Sequence, residues 1–337
     1  MTFGKIVVTT LKILAVCLLF ALCFIVGGTL SGLDQAARQA PTSTPGLQAA
    51  SGQQAMFSPA EIPTKQNPSP MPDNFLRPFL LYAVSAGVVL AYLILRSSWQ
   101  GWPLVGAIFA GMYGISTVAT QVETLFFMRN KMPHGVIRAL FLQGAIAAAL
   151  FAPLAVLLLG KWRTASPALT TSSPGRLHSP SIATRLALIV VAFVFLYMFF
   201  GYYVAWQNPA LRQYYGGPEH SSFYTAMKAN LMNIPWIYPL QIFRALLYAA
   251  YLYPLIRMLR VARWEAALAM AFFLSVWPTL LLLPNPLMPP SEAYTHFRET
   301  LGFSIVFGGL AGWLLSSNPV GSTTCTNQPI RNLSHFR

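Results

Sequence analysis

The chain has 337 residues, of which 55% are hydrophobic and only 9% are charged, and its formal net charge is +14. An ordinary soluble domain carries about 25% charged residues, so this sequence lacks the polar residues that would cover a soluble protein of its length. The hydrophobic content also excludes a disordered chain, which could not contain so much apolar surface. Composition therefore predicts an integral membrane protein.

The excess of basic residues does not indicate binding to nucleic acid. Most of the lysines and arginines lie at the ends of apolar runs, where lipid head groups and membrane topology account for them. The cysteines Cys17, Cys23 and Cys325 follow no disulfide or zinc-binding spacing. We expect the lipid bilayer as partner, no nucleic acid, and neither a metal nor a cofactor.

Eight stretches are long and apolar enough to cross a bilayer. About twenty apolar residues span the hydrocarbon core, and only a helix satisfies its own backbone groups there. The last stretch is short and the sixth contains Pro239 and Pro254, so seven or nine spans are alternatives. We expect an all-α, polytopic membrane helix bundle with about eight transmembrane helices. The predicted spans are residues 7–28, 76–95, 103–127, 136–160, 186–206, 236–256, 264–284 and 300–316.

The N-terminal part is predicted to hold one span and a long polar linker. Residues 1–30 are interpreted as a transmembrane helix that anchors the chain. A cleaved signal peptide is the alternative, because Lys5 and Lys12 precede the apolar core. Residues 31–74 are rich in Pro, Gln, Ser and Thr without hydrophobic periodicity, which predicts a disordered extracytoplasmic linker.

Residues 75–163 are predicted to form the second to fourth spans, with polar residues at membrane depth. Small residues spaced four apart, such as Gly106 and Gly114, predict close packing of the third span against the fourth. Gln121 falls on the same helical face, so we expect it to bond across the helix hairpin, with Gln143 as a partner.

Glu123 lies on a different face of the third span. Near the outer end of that span it has two interpretations. It pairs with Arg129 or Arg138 at the interface, or it is a functional group for a proton, a cation or a substrate, because ionisable residues in spans face protein or water.

A second linker, residues 164–184, precedes the fifth to eighth spans in residues 185–316. Arg244 lies about two turns into the sixth span and keeps its charge, so it requires an anionic partner. Glu123 and Glu299 are the candidates at that depth. A buried ion pair, anion binding, and extension of the side chain to the outer interface are all compatible with the sequence.

Two further polar groups lie at the outer ends of these spans. Glu292, His296 and Glu299 share one helical face, where they bind a metal, relay protons, or form the polar first turn of a helix; we expect the last. Arg212 follows an aromatic-rich segment and lies either in a surface loop or at the mouth of an outer cavity. Residues 317–337 are predicted to be a polar cytoplasmic tail.

Similar segments at corresponding positions suggest a parallel duplication of four helices plus four. Residues 75–83 resemble 242–249, and Trp99 corresponds to Trp264 just after an inner turn. Parallel repeats of this kind are related by an axis normal to the membrane.

The positive-inside rule predicts that both termini are cytoplasmic. A plasma (inner) membrane is assumed, because other membranes obey the same rule. Basic residues concentrate in the loops of one side, whereas most acids fall on the other; Arg129 and Lys131 oppose this assignment. Most of the candidate residues then lie in the outer half, which predicts a polar cavity open to the extracytoplasmic side. Its candidate residues are Gln121, Glu123, Arg138, Arg212, Arg244, His296 and Glu299.

Three classes of function fit such a cavity. A small-solute transporter or permease would use Glu123 and Arg244 for ions and substrate. A membrane-embedded enzyme acting on an outer-side or lipid-linked substrate would use Glu123 or Glu299 as general base and His296 as acid or ligand, with Arg244 as an electrostatic clamp. A non-catalytic scaffold or assembly subunit needs neither. The sequence contains no recognisable nucleophile or metal motif, and it leaves the substrate and the oligomeric state open.

Overall fold

The computed structural model describes residues 3–33, 36, 75–128, 132, 134–162, 179–215, 221–284 and 288–316. The predicted tail 317–337 and nearly all of the predicted linkers 31–74 and 164–184 lie outside these described residues. Arg129 and Lys131, which opposed the topology assignment, also lie outside them.

Within the described ranges, every regular element is a helix, and we number the helices in chain order. Some are irregular: α3 contains a π-helical segment at Gly114–Val118, α5 continues as a π-helical segment at Gly201–Ala205, and α9 continues as a 3-10 helix at Trp277–Leu282. The helices are α1 (Phe3–Ser31), α2 (Leu76–Arg96), α3 (Gly101–Met128), α4 (Val136–Leu158), α5 (Ser179–Phe200), α6 (Pro209–Tyr215), α7 (Phe223–Asn233), α8 (Ile237–Met258), α9 (Arg263–Val276) and α10 (Pro290–Leu315).

Six of these helices are long and apolar enough to cross a membrane, which fits the predicted multi-pass helical bundle. They are α1, α2, α3, α4, α5 with its π-helical extension, and α9 with its 3-10 extension. The other two predicted spans correspond to α8 and α10, which have 22 and 26 residues and are more polar. Helices α6 and α7 lie in a stretch for which the sequence analysis predicted no helix.

Glycines define several of the helix ends. Gly135 precedes α4 with φ 87° and Gly160 follows it with φ 73°, a left-handed conformation that favours glycine. After α4, the N–H of Lys161 donates to the carbonyl of Val156 and the N–H of Gly160 donates to that of Leu157. This is the Schellman arrangement, in which the two bonds satisfy carbonyls that the helix leaves open.

The described helices pack mainly in two sets, α1 to α4 and α5 with α8 to α10. α1 packs against α2 and α4, and α5 packs against α8 and α10. α3 packs against α4, and α9 packs against α10. Between the sets, α2 contacts α9 and α8 contacts α3. The core contains fully buried aromatic rings in both sets, including Phe20 with Phe151 and Phe193 with Phe307.

At one end of the bundle the turns 97–100 and 259–262 pair with each other, and we call this the paired-turn end. Ser97 and Leu259 form an antiparallel β-bridge, and the N–H of Ser98 donates to the carbonyl of Met258 at 2.7 Å. Beside them, Arg96 pairs with Glu265, which also accepts a 2.6 Å hydrogen bond from the hydroxyl of Tyr92. α2 is thereby tied to α8 and α9.

Only some of the small residues that were predicted to pack the third span against the fourth lie in that contact. Gly144 of α4 lies directly against Thr117 of α3, as expected for the helix hairpin. Gly114, however, faces Tyr251 of α8, and the space around Gly106 is open. The π-helical segment at Gly114–Val118 shifts the register of α3, so a regular 100° step does not predict the face of the residues that follow this segment, Gln121 among them.

Two glycines permit a close approach between α9 and α10. A β-carbon on Gly308 would lie 2.6 Å from the carbonyl oxygen of Met270, and one on Gly312 would lie 2.7 Å from that of Ala266. These glycines are four residues apart, a spacing that lets two helix backbones come together in a bilayer.

This close approach predicts different effects of alanine substitution at two adjacent glycines. Gly308→Ala should lower the free energy of unfolding by about 1–3 kcal/mol, because the added methyl group meets backbone that cannot move away easily. Gly309→Ala is the matched control, since no atom lies within 4 Å of its β-carbon position; it should leave stability unchanged or raise it slightly. Unfolding by SDS titration in mixed micelles measures both. Equal effects of the two substitutions would contradict the described packing.

Candidate functional site

The end of the bundle opposite the paired turns carries the candidate site. Four ionisable residues lie there: Glu123 near the end of α3, Arg244 in the second turn of α8, and His296 and Glu299 in the first turns of α10. We call these four residues the charged cluster. They form two ion pairs, one between α3 and α8 and one within α10.

Arg244 is only 5% exposed and is held from several sides. Its Nη2 lies 2.7 Å from Glu123 Oε2, its Nη1 donates to Gln241 Oε1 at 2.8 Å, and its Nε donates to the backbone carbonyl of Ala119 at 3.2 Å. The guanidinium carbon also lies 5.7 Å from the ring centroids of Phe193 and Tyr197. Hydrogen bonds and aromatic faces thus replace the water that the cation loses on burial.

Glu123 is more accessible than its partner. Its side chain is 30% exposed, and besides Arg244 it bonds with the side chain of Tyr197. The ion pair therefore connects α3, α5 and α8. Removing one member of such a pair leaves the other charge uncompensated in a poorly hydrated place.

The second ion pair lies within α10. His296 Nδ1 is 2.8 Å from Glu299 Oε2, and the two side chains are 20% and 13% exposed. Glu299 also faces the π-helical end of α5, where its Oε1 lies 3.6 Å from the β-carbon position of Gly201. Electrostatic interactions connect the two pairs, because Tyr197 is in range of Glu299 and His296 is in range of Glu123.

Three of the seven candidate residues are not in the charged cluster. Gln121 lies on α3, but its Oε1 is buried without a hydrogen-bond partner among the described residues. Its expected partner Gln143 instead lies beside Gly28 of α1, with Nε2 3.3 Å from the β-carbon position of that glycine. Arg138 is exposed at the start of α4, and Arg212 donates to the backbone carbonyl of Trp206.

The interpretation of Glu123 as a partner of Arg138 does not describe its ion pair, which is formed with Arg244. Of the three residues predicted on one face of α10, His296 pairs with Glu299, whereas Glu292 accepts a hydrogen bond from its neighbour Ser291. Within the described parts of the chain, no group of three His, Cys, Asp or Glu side chains is arranged to hold a metal ion.

Two residues of the site were not among the sequence candidates. Tyr197 bonds with Glu123 and lies under the guanidinium of Arg244, and its only sequence signal is a hydroxyl within an apolar run. Gln241 precedes Arg244 by three residues, so both side chains lie on one face of α8. A search for polar residues one helical turn from a buried arginine would have found it.

The arrangement places two carboxylates, one guanidinium and one imidazole in a small region with limited exposure. Such a set can exchange a proton between imidazole and carboxylate, or bind a charged group in place of an internal partner. Comparisons with protein-family models, curated proteins and solved structures find no match to this chain. The geometry of the site therefore carries the functional inference.

Double-mutant cycles can compare two Arg–Glu pairs of the described residues, one buried and one exposed. Arg244→Met and Glu123→Gln should show a coupling energy of about 2–3 kcal/mol, because the pair is poorly hydrated and each partner compensates the other. The control cycle uses Arg96→Met and Glu265→Gln, where Arg96 is 48% exposed and a clearly weaker coupling is expected because water screens the pair. Unfolding in SDS measures both cycles, and similar coupling energies for the two pairs would contradict the assigned environments.

Proposed function

We propose that this protein is an eight-span small-solute transporter or permease, and that the charged cluster is its binding site. The inclusion of α8 and α10 as spans is supported by their exposed residues. On α8, Gln241 and Arg244 are buried, whereas the exposed side chains include Ile242, Phe243 and Leu246. The polar residues of α8 thus face the bundle, and its apolar residues face the surroundings, as a lipid-facing helix requires.

A parallel duplication is supported by the packing. If α1 to α4 correspond to α5, α8, α9 and α10 in that order, most contacts within one set have an equivalent in the other, and the contacts of α2 with α9 and of α8 with α3 are equivalent too. The packing of α8 against α10 is the exception among the described helices, because α2 does not pack against α4 to a similar extent. The bridge between Ser97 and Leu259 joins corresponding turns. A twofold axis through the paired turns would produce this pattern.

The ends of the helices refine the same correspondence. Arg96 ends α2, and Met258 ends α8. The sequence separation between these two residues equals that between Gly101 and Arg263, which begin the next helices. At this offset Arg244 corresponds to Tyr82, and not to Arg77 as the resemblance of 75–83 to 242–249 implied.

The surroundings of these two residues match. Tyr82 packs on the rings of Phe20 and Phe24 of α1, at centroid distances of 5.3 and 5.2 Å. Arg244 lies over the rings of Phe193 and Tyr197 of α5, which have the same spacing of four. We propose that the C-terminal set is a polar version of the apolar N-terminal set.

The orientation that we propose has both termini inside, in a plasma (inner) membrane. Positive charge accumulates at the paired-turn end, and the acids Glu123, Glu292 and Glu299 lie near the other end. The positive-inside rule assigns the paired turns to the cytoplasm, so the charged cluster faces the extracytoplasmic side. The bases at the paired-turn end are Arg96, Lys161, Arg257, Arg260 and Arg263.

The observation that carries the proposed function is the ion pair between Glu123 and Arg244. Glu123 belongs to the N-terminal set of helices and Arg244 to the C-terminal set, so the pair lies where the two sets meet. In transporters built from repeats, substrate and ions bind between the repeats. The partial exposure of Glu123 provides access for a solute, while the paired turns connect the two sets at the opposite end.

A membrane-embedded enzyme is the second candidate, because His296 and Glu299 form a hydrogen-bonded imidazole–carboxylate pair suited to proton transfer. A scaffold without chemistry would use both ion pairs only to hold helices together. An enzyme would form product in detergent solution, where no membrane separates two compartments. A scaffold would show neither product formation nor uptake.

Uptake into proteoliposomes tests the proposal, with a panel of radiolabelled small anions, cations and zwitterions. We expect saturable uptake of at least one solute, and a loss of at least tenfold in Glu123→Gln, because the charge that faces the solute is removed. The matched control is Glu292→Gln, a buried acid on the same side outside the charged cluster; it should retain uptake within twofold. Uptake that is insensitive to Glu123→Gln, or product formation in detergent, would contradict the transporter proposal.

A further inference from the structure

Gln241 has an unused hydrogen-bond donor inside the site. Its side chain is fully buried, and its Oε1 accepts the bond from Arg244 Nη1. Since a guanidinium can only donate, this bond fixes which end of the amide is oxygen. The Nε2 group then has no hydrogen-bond partner among the described residues. A buried donor without an acceptor is costly, so this position requires an acceptor.

The charges of the cluster balance among the described residues. Glu123 of α3 is paired with Arg244 of α8, and Glu299 of α10 is paired with His296 of the same helix. The neighbouring phenols of Tyr197 on α5 and Tyr248 on α8 are ordinarily neutral. A solute that carries one charge of each sign keeps this balance, whereas a singly charged solute disturbs it in a poorly hydrated place.

Both observations indicate the same kind of ligand. We propose that the charged cluster binds a small zwitterion of the α-amino-acid type, with its carboxylate on Gln241 Nε2 and Arg244 and its ammonium group between Glu123 and Glu299. This inference rests on the proposed function and names its substrate class. When the solute binds, its carboxylate replaces that of Glu123 as the partner of Arg244. Its ammonium group replaces the guanidinium as the partner of Glu123, so neither residue is left without a countercharge. A singly charged solute would leave one of them without a partner.

The aromatic residues of the site fit this arrangement. Tyr197 lies within electrostatic range of Glu123, Arg244 and Glu299, so an ammonium group between the two acids would lie near its ring. Cations bind favourably over such rings, as Arg244 itself does.

The test compares zwitterions with singly charged analogues of the same shape. Thermal unfolding of the full-length protein in lipid nanodiscs is measured with alanine, leucine and phenylalanine. Each is matched by the acid that lacks the amino group and by the amine that lacks the carboxylate. A ligand that binds the folded protein raises Tm in a saturable way. We expect at least one amino acid to do so, with an affinity at least tenfold higher than that of either of its analogues.

Variants then assign the contacts. Gln241→Leu should lower the affinity for that amino acid about tenfold, because one hydrogen bond to a carboxylate is lost, and Glu299→Gln should lower it by a similar factor. Gln143→Leu, which removes a buried amide from α4, is the matched control and should leave the affinity within twofold.

Tighter binding of the acids or the amines than of the amino acids would overturn the zwitterion inference and leave transport of that ion as the proposed function. No stabilisation by any of the nine probes would also overturn the inference, while uptake of other solutes continues to test the proposed function separately. Unchanged affinity in both Gln241→Leu and Glu299→Gln would overturn the assigned site.

Discussion

A guanidinium inside a membrane protein must be compensated by other groups of the protein, and this constraint organises the cluster end of the bundle. Arg244 is nearly fully buried, so its partners have to come to it. They come from three other positions: a carboxylate and a backbone carbonyl from α3, aromatic rings from α5, and an amide from its own helix. The positions of these helices relative to one another are thereby fixed by a single side chain.

In the duplication that we propose, the same constraint accounts for the difference between the two sets of helices. At the position of the N-terminal set that corresponds to Arg244, Tyr82 rests on aromatic rings of α1 and needs no countercharge. In the C-terminal set the cation brings with it Gln241, Glu123 and the hydroxyl of Tyr197. One framework thus supports an apolar contact on one side and a charged site on the other, which is how a duplicated bundle would acquire a single binding site.

The sequence predicted the helical elements well because hydrophobic length is a property of each segment alone. It also named Glu123, together with Glu299, as a candidate partner for Arg244 on the basis of depth, and the ion pair is formed with Glu123. It did not predict which face α3 presents after Val118, because the π-helical segment at Gly114–Val118 changes the register and no residue pattern marks it. Gln121 follows this segment, and the expected bond to Gln143 is not formed by its Oε1, which has no hydrogen-bond partner among the described residues. Partners supplied by other helices, such as Tyr197, depend on packing that a single sequence does not encode in its spacing.

The central claim is that the charged cluster is open to water from the extracytoplasmic side. Thiol labelling tests it most directly, with single cysteines at Glu123→Cys or His296→Cys in a background without Cys17, Cys23 and Cys325. A membrane-impermeant reagent should label both positions in intact cells, whereas a cysteine at Ser98 in the paired turns should react only in inverted vesicles. Labelling of Glu123→Cys or His296→Cys only from the cytoplasmic side, or from neither side in a folded protein, would contradict the account.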